Sequence, residues 1–140
     1  MDAASLELLT HLPGKLTLFG TTQLSSEGPA AEPFSARLLV RVPFVGARSG
    51  EVMVWSDLSL ARLKSAERAF AVGVLSESAN ILAGVAVSHW ADELDARITL
   101  APPLFSETAR IVSAPGRDYV LTLLDGECRC RVEVITGAVQ

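Results

Sequence analysis

The chain has 140 residues, of which 49% are hydrophobic, and its formal net charge is -4. A chain of this length is expected to fold as one compact domain over residues 1–140 and to bury roughly two-thirds of its unfolded surface. Its basic residues are scattered and form no cationic stripe, so a nucleic acid is excluded as an expected partner.

The N-terminus and the cysteines bear on the cellular compartment. The sequence MDAASLELLT lacks the basic start, apolar core and small-residue cleavage site of a secretory signal, and no continuous run reaches the roughly 18 apolar residues of a membrane span. Cys128 and Cys130 are one residue apart in a predicted strand, a spacing that does not readily close a disulfide. We therefore expect a cytoplasmic protein with reduced thiols and no membrane association.

The first part of the chain predicts a short helix, a loop and a hairpin. Residues 5–12 (SLELLTHL) form the helix, which the following Pro-Gly pair ends. Residues 21–35 combine small polar residues with glycine and two prolines, which predicts a loop. The apolar and β-branched residues of 36–42 and 51–56 predict the two strands of a hairpin.

Two helices are predicted next, over residues 57–69 and over about 70–91. The first begins with an acidic residue and continues with good helix formers. Projecting the second at about 100° per residue separates two faces. One face is apolar and suits packing against a sheet: Val72, Leu75, Ala79, Leu82, Ala86 and Trp90. The other face is a narrow stripe of small and polar residues: Gly73, Glu77, Asn80, Gly84 and Ser88.

The second half of the chain is rich in strands. Residues 96–105 predict a strand interrupted by a Pro-Pro pair, and 109–113 predict another. Residues 118–135 predict two strands joined at the Asp125-Gly126 turn. This order of elements favours an α+β fold in which helices cover one side of a largely antiparallel sheet.

Several common kinds of site find little support. His89 and Glu93 stand at i and i+4, but no third ligand follows at a useful spacing, which favours a helix-end histidine over a metal ligand. Cys128 and Cys130 form a C-x-C without a partner pair, which favours structural thiols. Neither His11 nor His89 lies in a nucleophile motif, and no glycine-rich phosphate loop occurs.

Glu77 and Asn80 are the polar residues that their apolar surroundings do not explain. Asn80 is the only asparagine in the chain. Two residues three positions apart on a helix project side by side, and the small residues around them let another backbone approach closely. An E-x-x-N match in an arbitrary helix is usually a solvated pair, and that interpretation stays open. The context of small residues favours a face that enters a cleft.

The stretch SESANILAG (76–84), followed by LDARITLAPPLF (94–105), resembles the chemotaxis phosphatases of the CheX/CheC/FliY group, most closely CheX. Members of that family have a helix with the pattern E-x-x-N followed by a small residue and glycine, and then a strand of the type ISLP. The segment SGEVMVWSDLSLARL (49–63) also looks like the family's strand-then-helix segment. The resemblance runs from about Ala36 to Val134.

This resemblance implies hydrolysis of the aspartyl phosphate on a CheY-like response regulator, in bacterial chemotaxis or related two-component signalling. Glu77 would pair with the lysine beside the regulator's phosphate, and Asn80 would hold the attacking water in line. The regulator would supply a magnesium ion, and the chain itself would bind no cofactor. By the helix projection, clearance at the contact would come from Gly73, Gly84 and Ser88.

The sequence also departs from the family pattern. The stretch between Trp55 and Glu77 is shorter than is typical, and the first helix is abbreviated. Glu7 and Thr10 occupy the corresponding place in that helix, where a threonine cannot replace a carboxamide. The alternative is a noncatalytic module of the same fold that binds a receiver domain or another signalling protein, and the resemblance leaves a homodimer open.

Overall fold

The computed structural model describes residues 3–19, 22–124 and 126–137. Within these ranges, eight strands form one sheet and two α-helices pack on one of its faces. Every strand pair that the described residues form is antiparallel. The predicted α+β fold is therefore confirmed.

The helices are α1 (Ala3–Thr10) and α2 (Ser65–Leu94), and a short 3-10 turn at Leu60–Arg62 precedes α2. The strands are β1 (Lys15–Phe19), β2 (Thr22–Ala30), β3 (Phe34–Gly46), β4 (Gly50–Ser56), β5 (Ile98–Leu100), β6 (Leu104–Val112), β7 (Gly116–Leu123) and β8 (Gly126–Thr136). Their order in the sheet is β1-β2-β7-β8-β4-β3-β5, and β6 pairs with the N-terminal part of β3.

The loop predicted over residues 21–35 is wrong, because residues 22–30 form β2. This strand lies between β1 and β7 and pairs with both of them. Its small polar residues have low strand propensity, but backbone pairing on both sides overrides that preference. The register shifts between Ser26 and Gly28, where a backbone φ of 91° at Gly28 accommodates the irregularity.

The helix predicted over about 70–91 is confirmed as part of α2, which has 30 residues, but the separate helix predicted over 57–69 is wrong. Asp57 does not begin a helix. Its carboxylate accepts a hydrogen bond from the Arg129 backbone N–H at 2.8 Å, and its own N–H donates to the Arg129 carbonyl at 3.1 Å. Asp57 therefore extends the pairing of β4 with β8, and the chain turns into α2 only after it.

The start of α2 is fixed by a local cap. The Lys64 backbone N–H donates to the Glu67 carboxylate at 3.0 Å, which satisfies a donor just before the first helical residue. No proline follows within the helix, and it continues to Leu94. Asp95 then adopts a left-handed conformation, and its N–H closes the helix on the Ala91 and Asp92 carbonyls.

Most of the other predicted elements are confirmed. The hairpin over 36–42 and 51–56 is β3 and β4, and the hairpin over 118–135 is β7 and β8, although Asp125 of its turn lies outside the described residues. The Pro-Pro pair separates β5 from β6. The strand predicted over 109–113 is the C-terminal part of β6, which begins earlier, at Leu104, and pairs with β3.

The main core lies between the helices and the sheet. The residues of α2 predicted to face the sheet are buried there, except that Val72 is only partly buried: Leu75, Ala79, Leu82, Ala86 and Trp90. By length and composition α2 could span a membrane, but half of its most apolar window is buried in this core. Packing against a sheet accounts for its apolar face.

Candidate functional site

The side of α2 away from the sheet carries the residues that the sequence singled out, here called the outer stripe: Gly73, Glu77, Asn80, Gly84 and Ser88. Glu77, Gly73 and Ser88 are exposed, and Asn80 and Gly84 are partly exposed. In a continuous helix, positions three apart project to the same side. The structure therefore brings Glu77 and Asn80 together on an open surface.

Neither polar side chain of this pair bonds to another described residue. Within the described residues, the Glu77 carboxylate and the Asn80 carboxamide make no hydrogen bond and no ion pair. The neighbouring Ser78 contrasts with them, because it is buried and its hydroxyl donates to the Val74 carbonyl at 2.8 Å. Glu77 and Asn80 are thus free to bind a group that comes from outside the chain.

The surface around the pair is open and contains a shallow depression. A depression of about 280 Å³ lies at the N-terminal end of the outer stripe, with Phe70, Gly73 and Glu77 among its lining residues. A Cβ atom added at Gly73 or at Gly84 would meet nothing within 4 Å. Packing within this chain therefore does not require glycine at either position.

The predicted helix-end histidine, His89, lies where α2 meets α1. Its Nε2 is 3.3 Å from a Glu93 carboxylate oxygen, and its ring stacks on that of His11 with 3.9 Å between centroids. His11 in turn lies 3.8 Å from the Glu7 carboxylate. Among the described residues, no group of three or more His, Cys, Asp or Glu side chains is arranged to hold a metal ion.

A second polar region escaped the sequence reasoning. On the sheet face away from the helices, Arg131 is buried and makes two hydrogen bonds to the Asp118 carboxylate, at 2.8 and 3.1 Å. The two residues are directly opposite each other on β8 and β7. Only the register of the hairpin reveals this pair, and the sequence pattern alone did not specify it.

The geometry of the sheet and of α2 allows a comparison with known proteins. No protein-family model matches the sequence, and no curated protein matches it significantly. Among solved structures, the chemotaxis protein CheX from Vibrio vulnificus superposes with a TM-score of 0.53, covering 95% of this chain and 97% of that chain at 16% identity. The chain has the CheX fold.

A second solved structure agrees. A putative chemotaxis protein from Desulfovibrio vulgaris Hildenborough covers 95% of this chain and 92% of its own, with a TM-score of 0.52 and 14% identity. The resemblance seen in the sequence is thus confirmed for the fold, and the catalytic roles of Glu77 and Asn80 stay predictions.

Proposed function

We propose that this chain is a phosphatase that accelerates hydrolysis of the aspartyl phosphate on a CheY-like response regulator in chemotaxis or related two-component signalling. One observation supports the proposal above all others. Glu77 and Asn80 lie one helical turn apart on the outer stripe, reach solvent and have no partner within the described residues. In this chain the outer stripe is exposed or partly exposed, so a second protein can reach it.

Glu77 provides the docking contact. Its carboxylate pairs with the lysine that the receiver domain holds beside its phosphate, and a charge-assisted bond of this kind fixes the register of two surfaces. Asn80 follows one turn later on the same side of the helix. A receiver that docks on Glu77 therefore brings its phosphorus next to the Asn80 carboxamide.

Asn80 positions the attacking water. A carboxamide is not a base, but its oxygen accepts and its nitrogen donates hydrogen bonds, so it can hold a water molecule in line with the scissile bond. The water oxygen bonds to phosphorus, the bond from phosphorus to the aspartyl oxygen breaks, and the carboxylate leaves with the electron pair, while both water protons stay on the dihydrogen phosphate that forms. Such a loose transition state needs positioning more than proton removal.

The receiver would hold the magnesium ion that neutralises charge on the phosphoryl group, and the proposal requires no cofactor on this chain. Gly73, Gly84 and Ser88 would let the partner approach closely. Glycine inside a helix costs about 1 kcal/mol relative to alanine. Since neither Gly73 nor Gly84 has a neighbour that a Cβ would meet, a contact outside the chain is the reason we assign for both.

The test follows decay of the aspartyl phosphate on a CheY-type receiver phosphorylated with acetyl phosphate. Wild-type protein should shorten the lifetime, and Asn80→Ala should be slower on the order of a hundredfold, the size of effect expected when a reactant loses its alignment. Asp92→Asn, an exposed change on the same helix outside the stripe, should behave like wild type. Equal decay with wild type and Asn80→Ala would contradict the proposal.

A binding measurement separates the alternative function. The receiver loaded with beryllium fluoride mimics the phosphorylated state without turning over, so its affinity reports docking alone. Asn80→Ala should retain that affinity, because Glu77 is intact. Tight binding by wild type with no acceleration of decay would instead support the noncatalytic module.

A further inference from the structure

A large apolar side chain, Phe70, lies exposed beside the outer stripe. It belongs to the second turn of α2, and 40% of the residue is exposed. At about 100° per residue, Phe70 projects within roughly 20° of Glu77. Val85 and Leu94, which are also exposed, project roughly 80° and 100° away from Glu77. Phe70 therefore extends the outer stripe toward the N-terminal end of the helix.

The depression of about 280 Å³ lies between Phe70 and Glu77, and Gly73 lines it with them. Its two ends are seven residues apart, which is about 10 Å along a helix. Gly73 has no side chain, and an added Cβ would meet no atom within 4 Å. The absence of a side chain at position 73 therefore leaves the depression open.

The lining of the depression is apolar except at one end. Ala69, Phe70 and Val74 line the apolar part, and the carboxylate of Glu77 is the charged group that lines it with them. That carboxylate makes no hydrogen bond and no ion pair within the described residues. A complementary occupant therefore presents a cation, with an apolar side chain within roughly 10 Å of it.

The occupant follows from the function proposed above, on which this inference rests. A receiver whose lysine pairs with Glu77 covers the end of the depression that Glu77 forms. Any part of the depression left empty in that complex would lose packing contacts on both surfaces. A small molecule is usually enclosed over most of its surface, which a shallow depression along one helix does not provide.

We propose that Phe70 anchors the receiver domain: an apolar side chain of the receiver fills the depression against the Phe70 ring, while the receiver lysine pairs with Glu77. Aromatic side chains are enriched at the centres of protein interfaces, where they supply much of the buried apolar area. Phe70 then selects among receivers, because a charged side chain at the same place would be buried without a partner. The water-positioning role stays with Asn80.

The affinity for a CheY-type receiver loaded with beryllium fluoride measures this anchor. Phe70→Ala should weaken binding roughly tenfold, the size of effect expected for truncation of an interface anchor, and Phe70→Leu should retain most of the affinity. Leu94→Ala is the matched control, because Leu94 is 39% exposed on the same helix and lies outside the stripe. Equal affinities of wild type and Phe70→Ala, or equal losses in Phe70→Ala and Leu94→Ala, would overturn the proposal.

Ionic strength separates the apolar contact from the ion pair. Salt screens an exposed ion pair and does not weaken apolar burial. The loss of affinity in Phe70→Ala should therefore be the same at low and at high salt, whereas the loss in Glu77→Gln should shrink at high salt. A loss in Phe70→Ala that disappears at high salt would contradict the apolar contact.

A second variant tests the depression without changing Phe70. Gly73→Leu fills the depression from within the chain, and its Cβ meets no atom within 4 Å. Leucine also favours a helix more than glycine does, so the variant should fold. It should weaken receiver binding by roughly the same factor of ten. Unchanged binding by Gly73→Leu would contradict the proposal.

Failure of the anchor and failure of the proposed catalysis give different results. If wild type binds the receiver, Phe70→Ala binds weakly and neither accelerates phosphate decay, the anchor is supported and the phosphatase assignment is wrong. If Phe70→Ala binds normally while Asn80→Ala abolishes turnover, the anchor is wrong and catalysis is supported. No binding by wild type overturns both. A Phe70→Ala variant that loses self-association in sedimentation velocity and keeps its receiver affinity would assign the depression to a second copy of this chain and overturn the proposal.

Discussion

Glu77 is an exposed carboxylate with no partner in the described part of the chain, so its charge is available to another molecule. Glu77→Gln keeps the size of the side chain and removes that charge. We predict that KM for the phosphorylated receiver rises roughly tenfold, the equivalent of about 1.4 kcal/mol, while kcat stays the same because Asn80 still aligns the water. Steady-state kinetics measure both values.

The matched control for this prediction is Asp92→Asn. It removes one negative charge from the exposed surface of the same helix, outside the outer stripe. If both variants raise KM equally, the effect is one of overall charge and Glu77 has no special contact. If Glu77→Gln lowers kcat with KM unchanged, its assigned role in docking is wrong.

For the two glycines of the outer stripe, we predict that substitution by alanine raises the stability of the protein and weakens its binding to the receiver. Gly73→Ala and Gly84→Ala should each stabilise the isolated protein by up to about 1 kcal/mol, because an added Cβ meets no atom within 4 Å. The same methyl groups should weaken receiver binding if a partner backbone packs there. Urea unfolding and receiver titration measure the two effects.

Gly116→Ala serves as the contrasting control. A Cβ at this position would run into the Val132 carbonyl oxygen, so this change should destabilise the protein. If Gly73→Ala and Gly84→Ala leave both binding and turnover intact, close approach of a partner at the stripe is contradicted.

At the scale of elements, the short helix α1 is held against the sheet by two side chains of β7. The Arg117 guanidinium donates to the Leu9 carbonyl at 2.8 Å and to the Leu12 carbonyl at 2.7 Å, at the C-terminal end of the helix. The Tyr119 hydroxyl donates to the Pro13 carbonyl at 2.8 Å. A helix of only 8 residues is marginal by itself, so these contacts determine its place.

Tyr119 makes the stability of the protein depend on alkaline pH. Burial raises the pKa of its hydroxyl from 10.0 to about 12, and the Arg117 charge acts in the opposite direction. Tyr119 therefore contributes stability that is fully present below about pH 10 and is lost as the pH rises toward 12, roughly 2 kcal/mol in all. Tyr119→Phe should lose about 1 kcal/mol at neutral pH and show a smaller alkaline decline.

Urea unfolding at neutral pH and at about pH 11 tests this prediction. Because the chain contains one tyrosine, the absorbance of the phenolate reports ionisation of Tyr119 directly. Ionisation near the ordinary value of 10.0 in the folded protein, or identical alkaline declines for the two proteins, would contradict it.

The elements that the sequence predicted well are those in which side-chain pattern and packing agree. The long apolar face of α2 and the β-branched run of β4 meet the core that their patterns require. β2 was missed because its backbone pairs with two neighbours although its side chains are small and polar. The helix start predicted at residue 57 was wrong because Asp57 was interpreted as a helix cap, whereas its carboxylate accepts a hydrogen bond from β8.

At the scale of the whole molecule, the sheet face away from the helices is closed by a small apolar cluster and a polar network. The cluster consists of Phe34, Ala36, Met53, Trp55 and Val112. The Trp55 indole N–H donates to the buried Glu133 carboxylate at 2.8 Å, and Arg131 pairs with Asp118. Buried charges of this kind are tolerated when they are paired or hydrogen-bonded, as Arg131 and Glu133 are.

Removing one partner of the buried pair should be costly. The side chains of Arg131 and Asp118 are 2% and 12% exposed, so Asp118→Asn leaves a buried guanidinium without its counter-charge. We predict a loss of about 3–5 kcal/mol in the free energy of unfolding. Glu51→Gln, which breaks the more exposed pair with Arg41, should cost less than about 1 kcal/mol. Equal losses in urea unfolding would contradict the assignment.

More of the candidate site than of the fold's details could be predicted from the sequence. Glu77 and Asn80 were found because a lone asparagine and a carboxylate lay on a helix face of small residues, and the helix period alone brings them together. The Asp118–Arg131 pair depends on the register of β7 and β8, which one sequence does not specify. This chain has the same fold as the Vibrio vulnificus CheX although the two sequences are only 16% identical, so the fold does not require the same side chains at most positions.

One measurement tests the role of the outer stripe most directly: the decay rate of aspartyl phosphate on a CheY-type receiver, at saturating concentrations of wild type and of Asn80→Ala. We predict that wild type accelerates the decay and that the variant, which folds and binds the beryllium fluoride form, leaves the rate close to that of the receiver alone. Identical acceleration by the two proteins would contradict a water-positioning role for Asn80.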